Sequence, residues 1–422
     1  MSDAILQLKP TIMSSGGSKY NDLYYSEANS SVSLLECTFG WQNVLSLPSL
    51  QFGSGSQLNI PIDQFIGDIV LHLRLPPLRA NESICRGWGY AMLQSIGWTL
   101  GNSNSTQIVL QQDAILQTIL AQTCDPEKRD AILRLGGEEQ LVANGEFMDA
   151  YVILPLPMST ACGDKLPIDS TMLQSNIVIN VQFNQNSTSI YGGTATHPSA
   201  FLKAECMLRQ GKLSNQAASL RGMMTANPEL RYAYPFILNQ YYISPTFSGK
   251  TESSSYQGCS VDLNAFANGD LVGISFYVIK NSDKSPSGNN TPNPFNSDDI
   301  SNLLVTFNGS TLFNLPAKSY KMTNMLAGPQ SNSKYPYSVV SAGTTNPFIS
   351  TPKDGYMVFL DFSRERSACI QSHFFNTFRM PNQILRVQFN TTETDTEYRL
   401  IATYYYNACA DFQNGTSLIK ID

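Results

Sequence analysis

The four residues Val181-Gln182-Phe183-Asn184 return unchanged as Val387-Gln388-Phe389-Asn390, 206 residues later. One such match means little, because strands draw on a small vocabulary, but this one has company. Gly67-Asp68-Ile69-Val70 answers Gly269-Asp270-Leu271-Val272 at an offset of 202, and Asp149-Ala150-Tyr151-Val152 answers Asp354-Gly355-Tyr356-Met357 at 205. Ile96 to Leu100 answers Leu303 to Phe307 at 207, and Leu202-Lys203-Ala204 answers Leu400-Ile401-Ala402 at 198. Matches in the same order with so narrow a drift describe one domain plan used twice. A chain of 422 residues divides naturally into two units of that size.

The two halves read as strands. In Ile66 to Leu75, Ile69, Leu71, Leu73 and Leu75 share one face while His72 and Arg74 share the other, the period of a half-buried strand. Pro76-Pro77 ends it, since proline cannot donate to a ladder. Gln57 to Ile62, Tyr90 to Leu100, Thr106 to Leu110, Phe147 to Leu156, Asn176 to Phe183 and Ala200 to Arg209 give the first half about seven or eight strands. One helical insertion interrupts them. Asp113 to Gln122 puts Ile115, Leu116, Ile119 and Leu120 on one face, and a second short helix runs from the Asp125-Pro126 cap to a Gly136-Gly137 stop.

Gly211 to Leu230 lacks strand character. The strands then resume as Tyr232 to Ile243, Cys259 to Phe266, Leu271 to Ile279, Leu303 to Phe307, Tyr356 to Phe362, Ile384 to Phe389 and Arg399 to Tyr406. Unequal loops and few tight hairpins predict an all-β chain of two tandem eight-stranded jelly rolls, with the small helical insertion in the first. A propeller would repeat every 40–50 residues or so. The expected plan is an N-terminal arm at 1–34, a first jelly roll at 35–212, a linker at 213–230, a second jelly roll at 231–415 and a C-terminal tail at 416–422.

Charged residues are only 14% of the chain, against roughly a quarter in an average soluble domain. Such a surface belongs either to a β-rich protein with polar loops or to a subunit that hides surface against copies of itself, since interface cores are depleted in charge. Net charge is −6 and no long Lys/Arg run exists, which argues against direct nucleic-acid binding. The eight cysteines stand singly, with no CxxC pair, and read as free, mostly buried thiols of a reducing compartment. The N-terminal apolar run Ala4 to Leu8 is too short for a secretory signal, no stretch is apolar enough to span a bilayer, and the Asn104 and Asn308 sequons follow from composition.

Catalytic, cofactor and metal motifs fail one by one. Gly249-Lys250-Thr251 resembles the end of a phosphate loop, but Ser244 stands where the first glycine belongs. Gly87-Trp88-Gly89 meets Met92 where a dinucleotide turn needs glycine. His72, His197 and His373 lie far apart, with His72 on the polar face of its strand as a surface or interface residue. Asp298-Asp299 reads as a solvated pair. No G-x-S-x-G occurs, and no cysteine neighbours a histidine in sequence. Tyr241-Tyr242 and Tyr404-Tyr405-Tyr406 suggest a sugar platform, but alternation leaves at most two of the last three on one side, where core packing is the plainer role. The expectation is therefore no catalytic, cofactor or metal site.

Leu154-Pro155-Leu156-Pro157, Cys162, Leu166-Pro167-Ile168 and Leu173-Gln174, running into Ile177 to Phe183, are similar to the major capsid proteins of double-jelly-roll viruses, icosahedral double-stranded DNA viruses that include the large nucleocytoplasmic viruses, virophages and polinton-like viruses. Asn268 to Val272, Leu303 to Gly309 and Arg399 to Asn407 resemble that family's second barrel, so that the likeness spans about residues 35 to 412. Leu100-Gly101-Asn102-Ser103 stands where many relatives carry an Ile-Gly-Gly-Gln turn. The resemblance implies a homotrimer whose six near-equivalent barrels form a pseudo-hexagonal capsomer, with neighbouring capsomers, penton and minor capsid proteins, and in some viruses an underlying membrane, as partners. It implies outer towers or inter-subunit locks at 280–299, 316–354 and 111–137, contacts to neighbours or the inner layer for the 1–34 arm, and a place in the virion. Two other readings compete with it: a tandem β-sandwich that binds glycans or a receptor as a minor capsid or spike component, and a β-sandwich hydrolase.

Overall fold

In the computed structural model of the chain, the residues described are 37–48, 50–60, 65–99, 107–111, 115, 131–132, 134–137, 144–154, 168–169, 176–193, 197–213, 231–251, 258–264, 270–284, 300–315, 358–361, 375–376, 384–413 and 416–420. Outside them fall the 1–34 arm, most of the helical insertion, the Pro155 to Pro167 and Leu173-Gln174 segments, the long loops at 285–299 and 316–354, the matches at Gly269 and Asp354 to Met357, Asp298-Asp299, His373 and nearly all of the linker.

The first half carries β1 (Cys37–Ser46), β2 (Gly55–Ile60), β3 (Phe65–Leu75), β4 (Glu82–Ile84), the helical turn α1 (Trp88–Ala91), β5 (Leu93–Thr99), β6 (Gln107–Gln111), β7 (Met148–Ile153), β8 (Ile168–Asp169), β9 (Ile177–Phe183), β10 (Tyr191–Gly193) and β11 (Lys203–Leu213). Two main sheets result, β1-β11-β3-β7 with β8 beside β3, and β2-β9-β5-β6, while β4 and β10 pair as a separate two-stranded sheet. Counted along the chain over the eight long strands, their orders are 1-8-3-6 and 2-7-4-5, the two interlocked Greek keys of a jelly roll.

The second half repeats this. Its strands are β12 (Arg231–Ile243), β13 (Phe247–Ser248), β14 (Cys259–Asn264), β15 (Asp270–Lys280), β16 (Ser301–Phe307), β17 (Ser310–Leu315), β18 (Val358–Asp361), β19 (Phe375–Asn376), β20 (Ile384–Asn390), β21 (Glu397–Gln413) and β22 (Thr416–Lys420), with a helical turn α2 (Asn281–Lys284) after β15. The sheets β12-β21-β15-β18 and β14-β20-β16-β17 again give 1-8-3-6 and 2-7-4-5 once β13, β19 and β22, which flank this path, are left out of the count. Among the described residues no sheet takes strands from both halves. The halves meet where β6 lies against β12, and their buried apolar side chains join in one cluster.

The repeated sequence falls on equivalent strands. Val181 pairs with Ser56 on one side and Ile96 on the other, while Val387 pairs with Val261 and Val305. Both are the seventh long strand of their barrel, and alternation turns Val181, Phe183, Val387 and Phe389 into the core. The pairing aligns Ile96 with Val305 rather than with Leu303, two residues from the sequence match. A slip of two keeps every side chain on its face, so Leu303, Val305 and Ile96 are all buried.

Other expectations need correction. Tyr90 and Ala91 belong to α1, not to a strand, because Trp88 through Ala91 are all buried and a strand would turn alternate residues outward. β11 runs on to Leu213, the first residue of the expected linker, since Leu213 pairs with Cys37. The expected tail forms β22, which pairs with β21 from Cys409 to Gln413. Asn414-Gly415 stands between the paired Gln413 and Thr416, the two-residue sequence that favours a primed hairpin turn. Asn308-Gly309 does the same between β16 and β17, with φ of 47° and 80°. Ile115, Ile132, Arg134 and Leu135 are helical, and Gly136-Gly137 closes the second expected helix, the N–H of Gly136 still donating to Ile132.

Candidate assembly surface

The sheet β1-β11-β3-β7 turns Ile69, Leu71, Leu73, Cys206 and Leu208 into the first barrel and the alternate residues outward. Antiparallel pairing sets those outward residues side by side. Val70 stands between Met207 and Ile153, and His72 between Glu205 and Tyr151. The rings of His72 and Tyr151 stack at 4.5 Å and 9°. Nε2 of His72 donates to Oδ1 of Asp149 at 2.7 Å, and Arg74 grips the same carboxylate with Nε at 2.8 Å and Nη2 at 3.1 Å. The Arg74 guanidinium also lies 6.0 Å from the centre of the Phe147 ring. His72 is thus on the outer face, as the alternation predicts, yet buried there, because Tyr151 covers it.

Hydrogen bonding from Arg74, with His72 as a further partner, holds the Asp149 carboxyl below its ordinary range against the opposing pull of burial. On the second barrel Arg386 does the same to Asp262, with Nε 2.6 Å from Oδ1. A carboxyl depressed in the folded state stabilises above its unfolded value of about 3.9, and the contribution vanishes as the pH falls through the lower folded value. Thermal melts are therefore expected to lose stability below about pH 4. Asp149→Asn is expected to flatten that part of the curve, and an unchanged acid limb in the variant would contradict the assignment.

The sequence-level candidates take structural posts. Gly249-Lys250-Thr251 pins the turn before β21: Gly249 N–H donates to Thr396 and Lys250 N–H to the Thr391 hydroxyl. Gly87-Trp88-Gly89 holds the helical insertion, with Gly87 N–H donating to Gly137 and Gly89 N–H to Gly136. His197 stacks on Tyr191 beside buried Glu82, its Nδ1 3.5 Å from the carboxylate. Tyr404 and Tyr406 stack on each other inside the second barrel, so neither offers a sugar platform. Burial pushes the Cys206 thiol up to about 12, and Cys206 and Cys259 are free thiols. Among the described residues no three His, Cys, Asp or Glu side chains gather as a metal set, and no helix is long and apolar enough to cross a membrane.

Neither a protein-family model nor a curated protein matches the sequence. Solved structures do match. The VP54 protein of PBCV-1, as fitted into a reconstruction of the virophage Sputnik, superposes over 91% of this chain and 96% of its own with a TM-score of 0.63 at 15% identity. The chain has the fold of viral major capsid proteins. The Sputnik virophage structure at 3.5 Å shares this capsid fold, with a TM-score of 0.54 at 12% identity, 91% of this chain and 88% of that one. The Faustovirus major capsid protein does so too, with 0.54 at 10% identity over 89% and 90%. At such identities the likeness lies in the path of the backbone.

Proposed function

We propose that this chain is a major capsid protein that trimerises into pseudo-hexagonal capsomers and tiles the shell of an icosahedral double-stranded DNA virus. The observation that carries the reading is the duplicated strand order, 1-8-3-6 with 2-7-4-5 in each half. Three-fold symmetry acting on two near-equivalent barrels yields six near-equivalent positions, the shape a hexagonal lattice needs. The low charge content agrees, because an uncharged polar surface is less costly to desolvate at subunit contacts. The role is structural rather than catalytic. Its partners are copies of itself, then neighbouring capsomers, with penton and minor capsid proteins and an inner membrane layer as further candidates. Its place is the virion, after synthesis in the reducing host cytoplasm, and the plan of arm, two barrels and linker remains part of the proposal.

The purified chain is expected to sediment near three times 46.5 kDa and to give hexagonal outlines with a three-fold centre in negative stain. A species that stays monomeric at micromolar concentration would sink the proposal.

A further inference from the structure

We infer that the outward face of the sheet β1-β11-β3-β7 is a contact surface for a second copy of this chain, an inference that rests on the capsid reading above. The face has an apolar centre where a solvent-facing sheet would alternate to polar residues. Val70 is 7% exposed, and half-buried Met207, Ile153 and Tyr151 surround it. Aromatic corners flank that centre. Trp41, opposite Arg209 on β1, is 57% exposed, and Phe147 beside Arg74 is 58% exposed. Large aromatic and Arg side chains around an apolar middle are the anatomy of an interface core.

The charges of the face name the occupant. Asp68 is paired with Arg209 at 3.1 Å, Asp149 with Arg74 at 2.8 Å and Glu205 with Lys203 at 2.8 Å. Each carboxylate is answered within the chain, so the face presents no net field to an anion or a basic partner. A chain of net charge −6 must suppress its own repulsion to self-associate, and a face with internally matched charges does so.

Size agrees. β3 is 11 residues long. The four strands, 10, 11, 11 and 6 residues long, offer roughly 600 Å² at about 3.3 Å per residue and about 4.8 Å between strands. The smaller standard interfaces take about 600 Å² from each partner.

The other barrel supplies the comparison. On the matching face of β15 and β21, Tyr277, Ile279 and Ile401 point away from the barrel interior and are 3%, 1% and 0% exposed. There the chain covers its own apolar face. On the first barrel the corresponding face stays half open, and a second copy supplies the missing cover.

Sedimentation velocity on the full chain tests this with Met207→Glu and Trp41→Glu, and with Gln57→Glu on the outward face of β2 as control. The face variants are expected to weaken association by about tenfold or more, while the control associates as the unsubstituted chain does. Face variants as strongly associated as the control overturn this inference and leave the trimer standing. A monomeric unsubstituted chain overturns the trimer reading and this inference with it. Hydroxyl-radical footprinting of the unsubstituted chain guards against misfolded variants, since Trp41 and Met207 must lose reactivity on association. Unchanged reactivity overturns the inference, as does protection that comes only with added anionic vesicles.

Discussion

Replacing Val181 with aspartate is expected to destabilise the chain by at least about 4 kcal/mol, and Val387→Asp by a similar amount. Both valines sit on the inner face of the seventh long strand of their barrel, 1% and 0% exposed, between apolar neighbours on at least one flank. A carboxylate there finds no cation and either stays protonated or draws water into the sheet interface. Against a typical total of about 5–15 kcal/mol, that loss removes much of the margin of folding. One residue along each strand the outcome reverses. Val178→Asp and Gln388→Asp place the same charge on outward positions that are half-buried at most, with an expected cost below about 1 kcal/mol. Urea midpoints of the four variants test the set, and equal costs for inward and outward positions would remove the face assignment that the duplication rests on.

The duplication was legible because burial acts on the face of a strand, and face is written in the sequence at period two. Val181 and Phe183, like Val387 and Phe389, had to be apolar in either barrel, whereas the loops between strands drifted in length. That same logic explains the two-residue error at Ile96. A match by pattern cannot distinguish Leu303 from Val305, which share a face, and only the pairing with Val387 decides between them. The turn at Asn308-Gly309 was legible but the strand beyond it, β17, was not, and Asn-Gly recurs in the sequence between the paired Gln413 and Thr416.

The outward face was much less legible. His72 and Arg74 marked it as polar, although Val70 lies on the same side of the strand. What makes it a surface of interest is the lateral register of β3 with β7 and β11, which sets Asp149 against Arg74 and Met207 against Val70. Those partners lie 75 and 137 residues apart in sequence. Nothing local encodes that distance. The Tyr151 ring over His72 follows from the same register. Sequence pattern therefore reports what faces inward within one strand, while the composition of an outer face depends on which strands lie side by side.

Gly137→Ala is expected to cost about 2–4 kcal/mol, from two sources that can be separated. Gly137 has a φ of +111°, where any side chain is strained, and an added Cβ would intrude on the Trp88 ring. Its neighbours leave no room to yield: a Cβ on Gly136 would stand 2.6 Å from the Tyr90 ring, and one on Gly89 2.6 Å from Val152. The carbonyls of Gly136 and Gly137 also accept the two bonds that hold the end of the insertion to α1. Trp88→Ala alone empties a site that is 1% exposed and is expected to cost about 3–5 kcal/mol. In the double variant the shortened side chain at 88 makes space for the new methyl, so the steric part disappears while the backbone strain remains. The combined loss is then expected to fall short of the sum by at least about 1 kcal/mol. Additivity within about 0.5 kcal/mol would mean that Gly137 is required for its backbone angle alone and that the ring of Trp88 does not seat the insertion on the first barrel.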